Sequence, residues 1–265
     1  MITGTTRLFA ILGDPLAKAR TPEGMNALFT EHGIDAVMVP AEVDVDGFAD
    51  AVAGFKRLRN CDGLVLTMPH KQAMCAHVDE LRENGRRVGA INAARRLPDG
   101  RWVGDMFDGL GYVGALRRHG IDPAGKRVHM IGAGGVARAM AMALAQAGIA
   151  ALTLRDLAPG RAVDLAGAVS AAYPAVETTA VQDDAQRCDI LLNATPVGMR
   201  EGDPLPCEPA AVPTARVVSD VITKPEITPF LAAARARGCT ITSGKDMFEA
   251  QIRMVTAFLV GRETL

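Results

Sequence analysis

Short apolar runs alternate with longer amphipathic stretches along this chain, a pattern that predicts an α/β architecture. Phe9 to Leu12 is an unbroken apolar run of strand length, closed by Gly13-Asp14-Pro15. Pro22 to His32 reads as a helix, with Thr21 placed as its N-cap, Pro22 at the first helical position and Gly33 as its stop. Strands are expected at Ala36 to Pro40 and at Gly63 to Met68, with a helix from about Asp46 to Leu58 between them. Lys71 to Val88 reads as helical with a break near Gly85. Ala90 to Arg96 and Arg101 to Gly104 flank Pro98-Asp99-Gly100, a favourable hairpin turn.

A helix from Asp108 to His119 and a turn-rich stretch over Ile121 to Lys126 lead to a second series of elements. Arg127 to Ile131 is a strand, Arg138 to Ala147 a helix stopped by Gly148, and Ala151 to Arg155 the next strand. A helix from Arg161 to Ser170 follows, then strands at Val176 to Thr179, Ile190 to Asn193 and Val217 to Val221, and an αβα tail from Pro229. Between the first strand and helix of this series stands Gly132-Ala133-Gly134-Gly135-Val136-Ala137, a G-x-G-x-x-A loop inside a complete β-α-β unit. Glycines there permit a tight turn and close backbone approach to a pyrophosphate, while the helix N-terminus offers free N–H groups to the phosphates. The expected fold is α/β in two domains: an N-terminal mixed-sheet domain and a Rossmann-type dinucleotide-binding domain.

The end of the next strand bears on the choice of dinucleotide. Asp156 stands where a carboxylate would accept hydrogen bonds from a ribose 2′-hydroxyl and repel a 2′-phosphate. Arg155 beside it would do the opposite and hold that phosphate. Both readings stand; charge repulsion at Asp156 makes NAD the preferred cofactor and NADP the other.

Composition narrows the partners. With 49% hydrophobic and 22% charged residues the chain is not of the disordered type. Twenty-nine basic against 30 acidic residues leave a net charge of −1, which removes the electrostatic basis for nucleic-acid binding. No apolar stretch approaches the ~18 residues of a membrane span, and the run from Leu8 to Leu12 is too short for a signal-peptide core. A cytoplasmic protein with reduced thiols is expected, since Cys61, Cys75, Cys188, Cys207 and Cys239 form no C-x-x-C pair. The five histidines show no metal spacing, so no metal is expected.

Two further segments leave strands carrying chemistry. Thr67-Met68-Pro69-His70-Lys71 enters a helix, and Gly104-Asp105-Met106-Phe107-Asp108-Gly109 enters another. A lysine and an aspartate at strand ends would serve the proton transfer that accompanies hydride transfer, or would simply face water. With these segments, the chain resembles the shikimate dehydrogenase family over nearly its whole length. Gly13-Asp14-Pro15 and Thr21-Pro22 match part of the family's opening motif, and Thr67 to Lys71 resembles the element holding its catalytic lysine. Gly89-Ala90-Ile91-Asn92 resembles the element whose Asn touches substrate, and Gly104-Asp105 with Asp108-Gly109 the one whose last Asp partners the lysine. Asn193-Ala194-Thr195-Pro196 with Gly198-Met199 resembles the nicotinamide-side element. Thr228-Pro229-Phe230-Leu231, and Gly244 with Met247 and Gln251, match the family's closing motifs.

The resemblance implies an NAD(P)-dependent oxidoreductase acting on the ring hydroxyl of a cyclic hydroxy acid, interconverting shikimate and 3-dehydroshikimate, as in aromatic amino acid biosynthesis. It assigns catalysis to Lys71 and Asp108, and substrate binding to Thr21, Thr67, Asn92 and Gln251. It assigns the cofactor to Gly132, Ala133, Gly134, Gly135, Val136, Asp156, Asn193, Thr195, Pro196, Val221 and Gly244. The implied substrate-binding domain is 1–108 plus 243–265, and 109–242 the cofactor domain, with the active cleft between them and a homodimer as the possible assembly. The departures are polar losses. Lys18-Ala19-Arg20-Thr21 keeps one hydroxyl of a two-hydroxyl carboxylate motif, and Val65, Met106, Phe107 and Ile222-Thr223 stand where polar or aromatic groups are expected. These losses leave open a paralogue specific for quinate or another ring hydroxy acid, or a non-catalytic metabolite sensor.

Overall fold

The computed structural model describes residues 2–183 and 187–265. The chain divides into two compact units, Met1–Phe107 with Gln251–Leu265, and Asp108–Ala250. The second segment of the first unit begins inside the last helix rather than at residue 243.

The first unit contains β1 (Arg7–Gly13), α1 (Thr21–Glu31), β2 (Ala36–Glu42), α2 (Phe48–Arg57), β3 (Cys61–Leu66), β4 (Glu80–Leu81), α3 (Glu83–Val88), β5 (Ala93–Arg96) and β6 (Trp102–Asp105). They form a mixed sheet of order β2-β1-β3-β5-β6-β4. β1 pairs in parallel with β2 and β3, while β3, β5 and β6 run antiparallel in turn. Phe9 to Leu12 of β1 are all buried, as a strand covered on both faces requires. Ala10 and Leu12 join Leu64, Leu66, Phe48, Val52 and Trp102 in one core. Phe9, facing the other way by strand alternation, packs its ring 5.5 Å from that of Phe29 in α1. The outer strand β2 carries Pro40.

Two expectations for this unit are corrected. Thr21 is the first residue of α1, and the cap position belongs to Arg20, which makes no side-chain cap bond. The stretch from Lys71 to Val88 is not a broken helix. It holds a 3₁₀ turn at Ala73–His77, the two-residue strand β4 and the short helix α3. β4 exists through its parallel pairing with β6, a non-local contact that periodicity does not report.

The second unit contains α4 (Asp108–Arg118), β7 (Arg127–Ile131), α5 (Gly135–Gln146), β8 (Ala151–Arg155), α6 (Pro159–Ala172), β9 (Glu177–Ala180), β10 (Ile190–Asn193), β11 (Val217–Asp220), α7 (Pro229–Ala236), β12 (Thr240–Thr242) and the start of α8 (Gly244–Val260). All six strands are parallel, in the order β12-β11-β10-β7-β8-β9. The direction of winding reverses between β7 and β10, which is where a doubly wound sheet opens a crevice at its carboxyl edge. One face of the sheet is closed by α7, whose Phe230, Leu231 and Ala234 join Leu191, Val218 and Ile131 in a buried cluster. α5 starts at Gly135 rather than Arg138, because Gly134 takes the extended cap conformation. Among the described residues no helix is long and apolar enough to cross a membrane.

α4 and α5 pack at glycine distance. A Cβ on Gly109 would stand 2.1 Å from the carbonyl oxygen of Ala139, a backbone atom that cannot step aside. Gly109→Ala is therefore expected to destabilise the protein by about 1–3 kcal/mol through overpacking, read as a lowered midpoint in thermal or urea unfolding. An unchanged midpoint would contradict this packing.

Candidate functional site

The carboxyl edge of the parallel sheet carries a cavity of about 580 Å³. Its walls come from Gly132 after β7, from Arg155 to Ala158 and Arg161 after β8, and from Thr195 to Val197 and Pro204 to Pro206 after β10. Gly132 is at φ +107°, and its N–H donates to the Arg155 carbonyl at 2.7 Å. A Cβ on it would meet Thr195 Cγ2 at 2.8 Å and the Ala194 oxygen at 2.9 Å. Glycine is thus required twice here, for conformation and for contact. Gly134, Gly135 and Val136 form the cap and first turn of α5, whose leading N–H groups have no partners within the helix. A dinucleotide fits these residues: an open helix N-terminus for its pyrophosphate, and a cavity with leucine, valine and proline walls for a flat base.

Asp156 lines the cavity with its carboxylate held from behind. Oδ2 accepts the Ala133 N–H and Oδ1 the Ala158 N–H, each at 2.8 Å. Each oxygen keeps a second lone pair for a hydroxyl. Arg155 turns aside to donate from Nη2 to the Pro206 carbonyl at 3.2 Å. Arg161 and the 204–206 loop are wall residues that the sequence reading did not single out. The Pro204-Leu205-Pro206 run was the loop's one signal in the sequence, and Arg161 had none.

Asn193 is fully buried and lines no part of the cavity. Its Nδ2 donates to the Val197 carbonyl and to Asp220 Oδ1, both at 3.1 Å. Its Oδ1 accepts from the Thr195 N–H at 3.1 Å and the Thr195 hydroxyl at 2.7 Å. Two donors and two acceptors exhaust the amide, so Asn193 shapes the Thr195-Pro196-Val197 wall instead of presenting its own side chain. Val221 donates its N–H to the Asn193 carbonyl at 3.1 Å. Gly244 donates to the Ile222 carbonyl at 3.2 Å, and a Cβ on it would fall 2.3 Å from the Val221 oxygen. Of the expected cofactor residues, Gly132, Asp156, Thr195 and Pro196 line the cavity; Ala133, Asn193, Val221 and Gly244 brace its loops. Asp108, buried, opens α4 in this unit.

The first unit gathers Thr67, Lys71 and Asn92 at one end of β3. Thr67 donates its N–H to the Leu12 carbonyl at 2.9 Å, and its methyl occupies the space that a Cβ on Gly13 would take. His70 closes the turn by donating its N–H to the Thr67 carbonyl at 2.9 Å. The buried His70 ring stacks on Phe48 at 4.2 Å, and its Nε2 donates to the Val43 carbonyl at 2.7 Å. The Lys71 carbonyl accepts the Ile91 N–H at 2.9 Å, which ties the lysine to the neighbour of Asn92. The Asn92 Oδ1 accepts the Phe107 N–H at 2.9 Å. Phe107 is buried, with its ring 5.1 Å from that of Phe258 in α8. Thr21 and Gln251 are half-buried in the same unit, on α1 and α8.

Among the described residues no group of three His, Cys, Asp or Glu is placed to hold a metal ion. Residues 11–94 match the family model described as shikimate dehydrogenase substrate binding domain. The shikimate dehydrogenase (NADP(+)) of Rubrobacter xylanophilus is 36% identical over 250 residues, covering 93% of this chain and 88% of that one. Two crystal structures superpose with a TM-score of 0.91. The ligand-free 5-ketofructose reductase of Gluconobacter sp. strain CHM43 is 32% identical and is covered to 95%, against 98% of this chain. The shikimate 5-dehydrogenase of Listeria monocytogenes, in complex with shikimate and NAD, is 28% identical and is covered to 94%, against 99% of this chain. A glycine-bound crevice at the sheet's switch point and a lysine-bearing turn on a separate mixed sheet are thus found in a chain that belongs to the shikimate dehydrogenase family.

Proposed function

We propose that the protein interconverts the ring hydroxyl of a shikimate-type hydroxy acid with the corresponding ketone, using NAD or NADP. The observation that carries this reading is the glycine-bordered cavity at the switch point, in a chain of this family that retains both Lys71 and Asp108. When bound, the dinucleotide accepts or supplies the hydride. Lys71 takes the hydroxyl proton during oxidation and returns it during reduction, with Asp108 as its charge partner. Thr67, Asn92 and Gln251 orient the ring, and Thr21 its carboxylate.

Asp156 favours NAD, because its carboxylate stands at the end of β8 with lone pairs left for a ribose hydroxyl. A second reading has two observations in its favour. Ala19, Val65, Met106 and Phe107 are non-hydroxylic, and a solved relative is a 5-ketofructose reductase. A site that lacks carboxylate and hydroxyl partners discriminates weakly for them. A ketose would then replace the ring acid, with the same Lys71 chemistry.

Initial rates with shikimate, quinate and 5-ketofructose, each paired with both dinucleotides in the appropriate redox form, separate these readings. Turnover led by shikimate is the expected result; turnover confined to the ketose establishes the second reading. Lys71→Met is expected to lower kcat by ~10²–10⁴-fold with dinucleotide affinity within about twofold of the parent, and a loss below tenfold would remove Lys71 from the chemistry. Asp156→Asn is expected to move the ratio of kcat/KM for NAD over NADP about tenfold toward NADP, corresponding to ~1.4 kcal/mol. An unchanged ratio would leave Asp156 as a brace of the glycine loop only.

A further inference from the structure

Asp220 is a buried carboxylate at the carboxyl edge of the parallel sheet, and it is not part of the lining of the cavity at the switch point. It is 3% exposed at the end of β11. Its Oδ1 accepts from Asn193 Nδ2 at 3.1 Å and from the Ile222 N–H at 3.0 Å. Its Oδ2 accepts from the Thr228 hydroxyl at 2.8 Å, and that hydroxyl caps α7 by accepting the Leu231 N–H at 3.3 Å. Three chain segments therefore converge on one carboxylate: the loop after β10, the loop after β11 and the start of α7.

Such a group is expensive to keep. Burial pushes its pKa up to about 6, against the lowering effect of the Ile222, Thr228 and Asn193 hydrogen bonds. An apolar residue would fill the same space without that cost. What an apolar residue cannot do is fix the amide of Asn193. Apart from Asp220, the side-chain amide of Asn193 is bonded only to its own loop, at Thr195 and Val197. The carboxylate accepts only, so it forces Nδ2 toward Asp220 and Oδ1 toward Thr195. A flipped amide would set a donor against both the Thr195 N–H and, on the opposite side, an acceptor against the carboxylate.

We infer that Asp220 is a positioning residue for dinucleotide binding, which sets the Thr195-Pro196-Val197 wall of the cavity by orienting the Asn193 amide. The inference rests on the cavity being the dinucleotide site. Asp220 touches neither cofactor nor substrate. Its effect reaches the cavity through Asn193, and the Ile222 and Thr228 bonds hold it in place.

The test is the dissociation constant of NAD and of NADP, measured by fluorescence titration on folded full-length protein. The comparison covers the parent, Asp220→Asn, Asp220→Ala and Thr228→Val. Asn at 220 can still offer its oxygen to Asn193 and Ile222 while its amide faces the Thr228 hydroxyl, so binding within about threefold of the parent is expected. Asp220→Ala releases the Asn193 amide and is expected to weaken dinucleotide binding at least tenfold, with KM for the second substrate within about twofold at saturating dinucleotide. Thr228→Val is nearly isosteric and lies outside the cavity lining, and it decides the matter if Asp220→Ala does not fold. A three- to tenfold loss of dinucleotide affinity is expected from it. Parent-like affinity in folded Asp220→Ala, or in Thr228→Val when the alanine variant does not fold, overturns the inference. So does equal weakening by Asp220→Asn and Asp220→Ala. A parent protein that binds neither dinucleotide would instead overturn the functional reading beneath it.

Discussion

At the switch point of the parallel sheet, β7 and β10 part with no room for a side chain between their exits. The Ala194 N–H donates to the Ile131 carbonyl at 2.7 Å, so the two strands stay joined to their last residues. The chain beyond Ile131 must then turn away at Gly132, with the loop after Asn193 already against it. That steric limit fixes where the glycine loop runs, where α5 begins and how far the Thr195–Val197 segment leans over the crevice. A larger residue at 132 would displace the backbone of both loops and the cavity they share.

The parts of this arrangement that were legible in the sequence are those built from local rules. A strand, a G-x-G-x-x-A turn and a helix follow one another without interruption, and glycine at positive φ is visible as glycine. Asp156 was legible because a doubly wound sheet sets the distance from the loop to the next strand end. The polar support was not. Asn193, Asp220 and Thr228 come from three segments, and what joins them is hydrogen-bond valence rather than spacing. β4 escaped notice for a similar reason: two residues have no period, and only the partner strand β6 makes them a strand. The Thr21 cap was misplaced because α1 begins one residue earlier, with Pro22 at its second position, where a missing N–H also costs no helical bond.

In the first unit, the lysine-bearing turn is braced by its own backbone bonds and by His70. His70 does the holding, by a flat stack on Phe48 and a single bond to a backbone carbonyl. Lys71 is thereby fixed at its backbone on both sides, by His70 before it and by Ile91 across from its carbonyl. The polar losses near it are of a different kind. Val65, Met106 and Phe107 are buried, and Phe107 has become part of the packing against α8. Lys71 is thus retained in a unit whose Val65, Met106 and Phe107 are buried apolar side chains.

Pro40 has a consequence beyond the packing of its own strand. It stands in β2, the outermost strand of the mixed sheet, and a proline there offers no N–H to a strand arriving from outside. The opposite margin is β4, only two residues long, and β12 at one margin of the parallel sheet has three. An intruding chain would find too few consecutive donors and acceptors at these margins to zip onto. Two open sheets in one chain carry four such margins, and this one keeps three of them too short or too interrupted to seed cross-chain β aggregation.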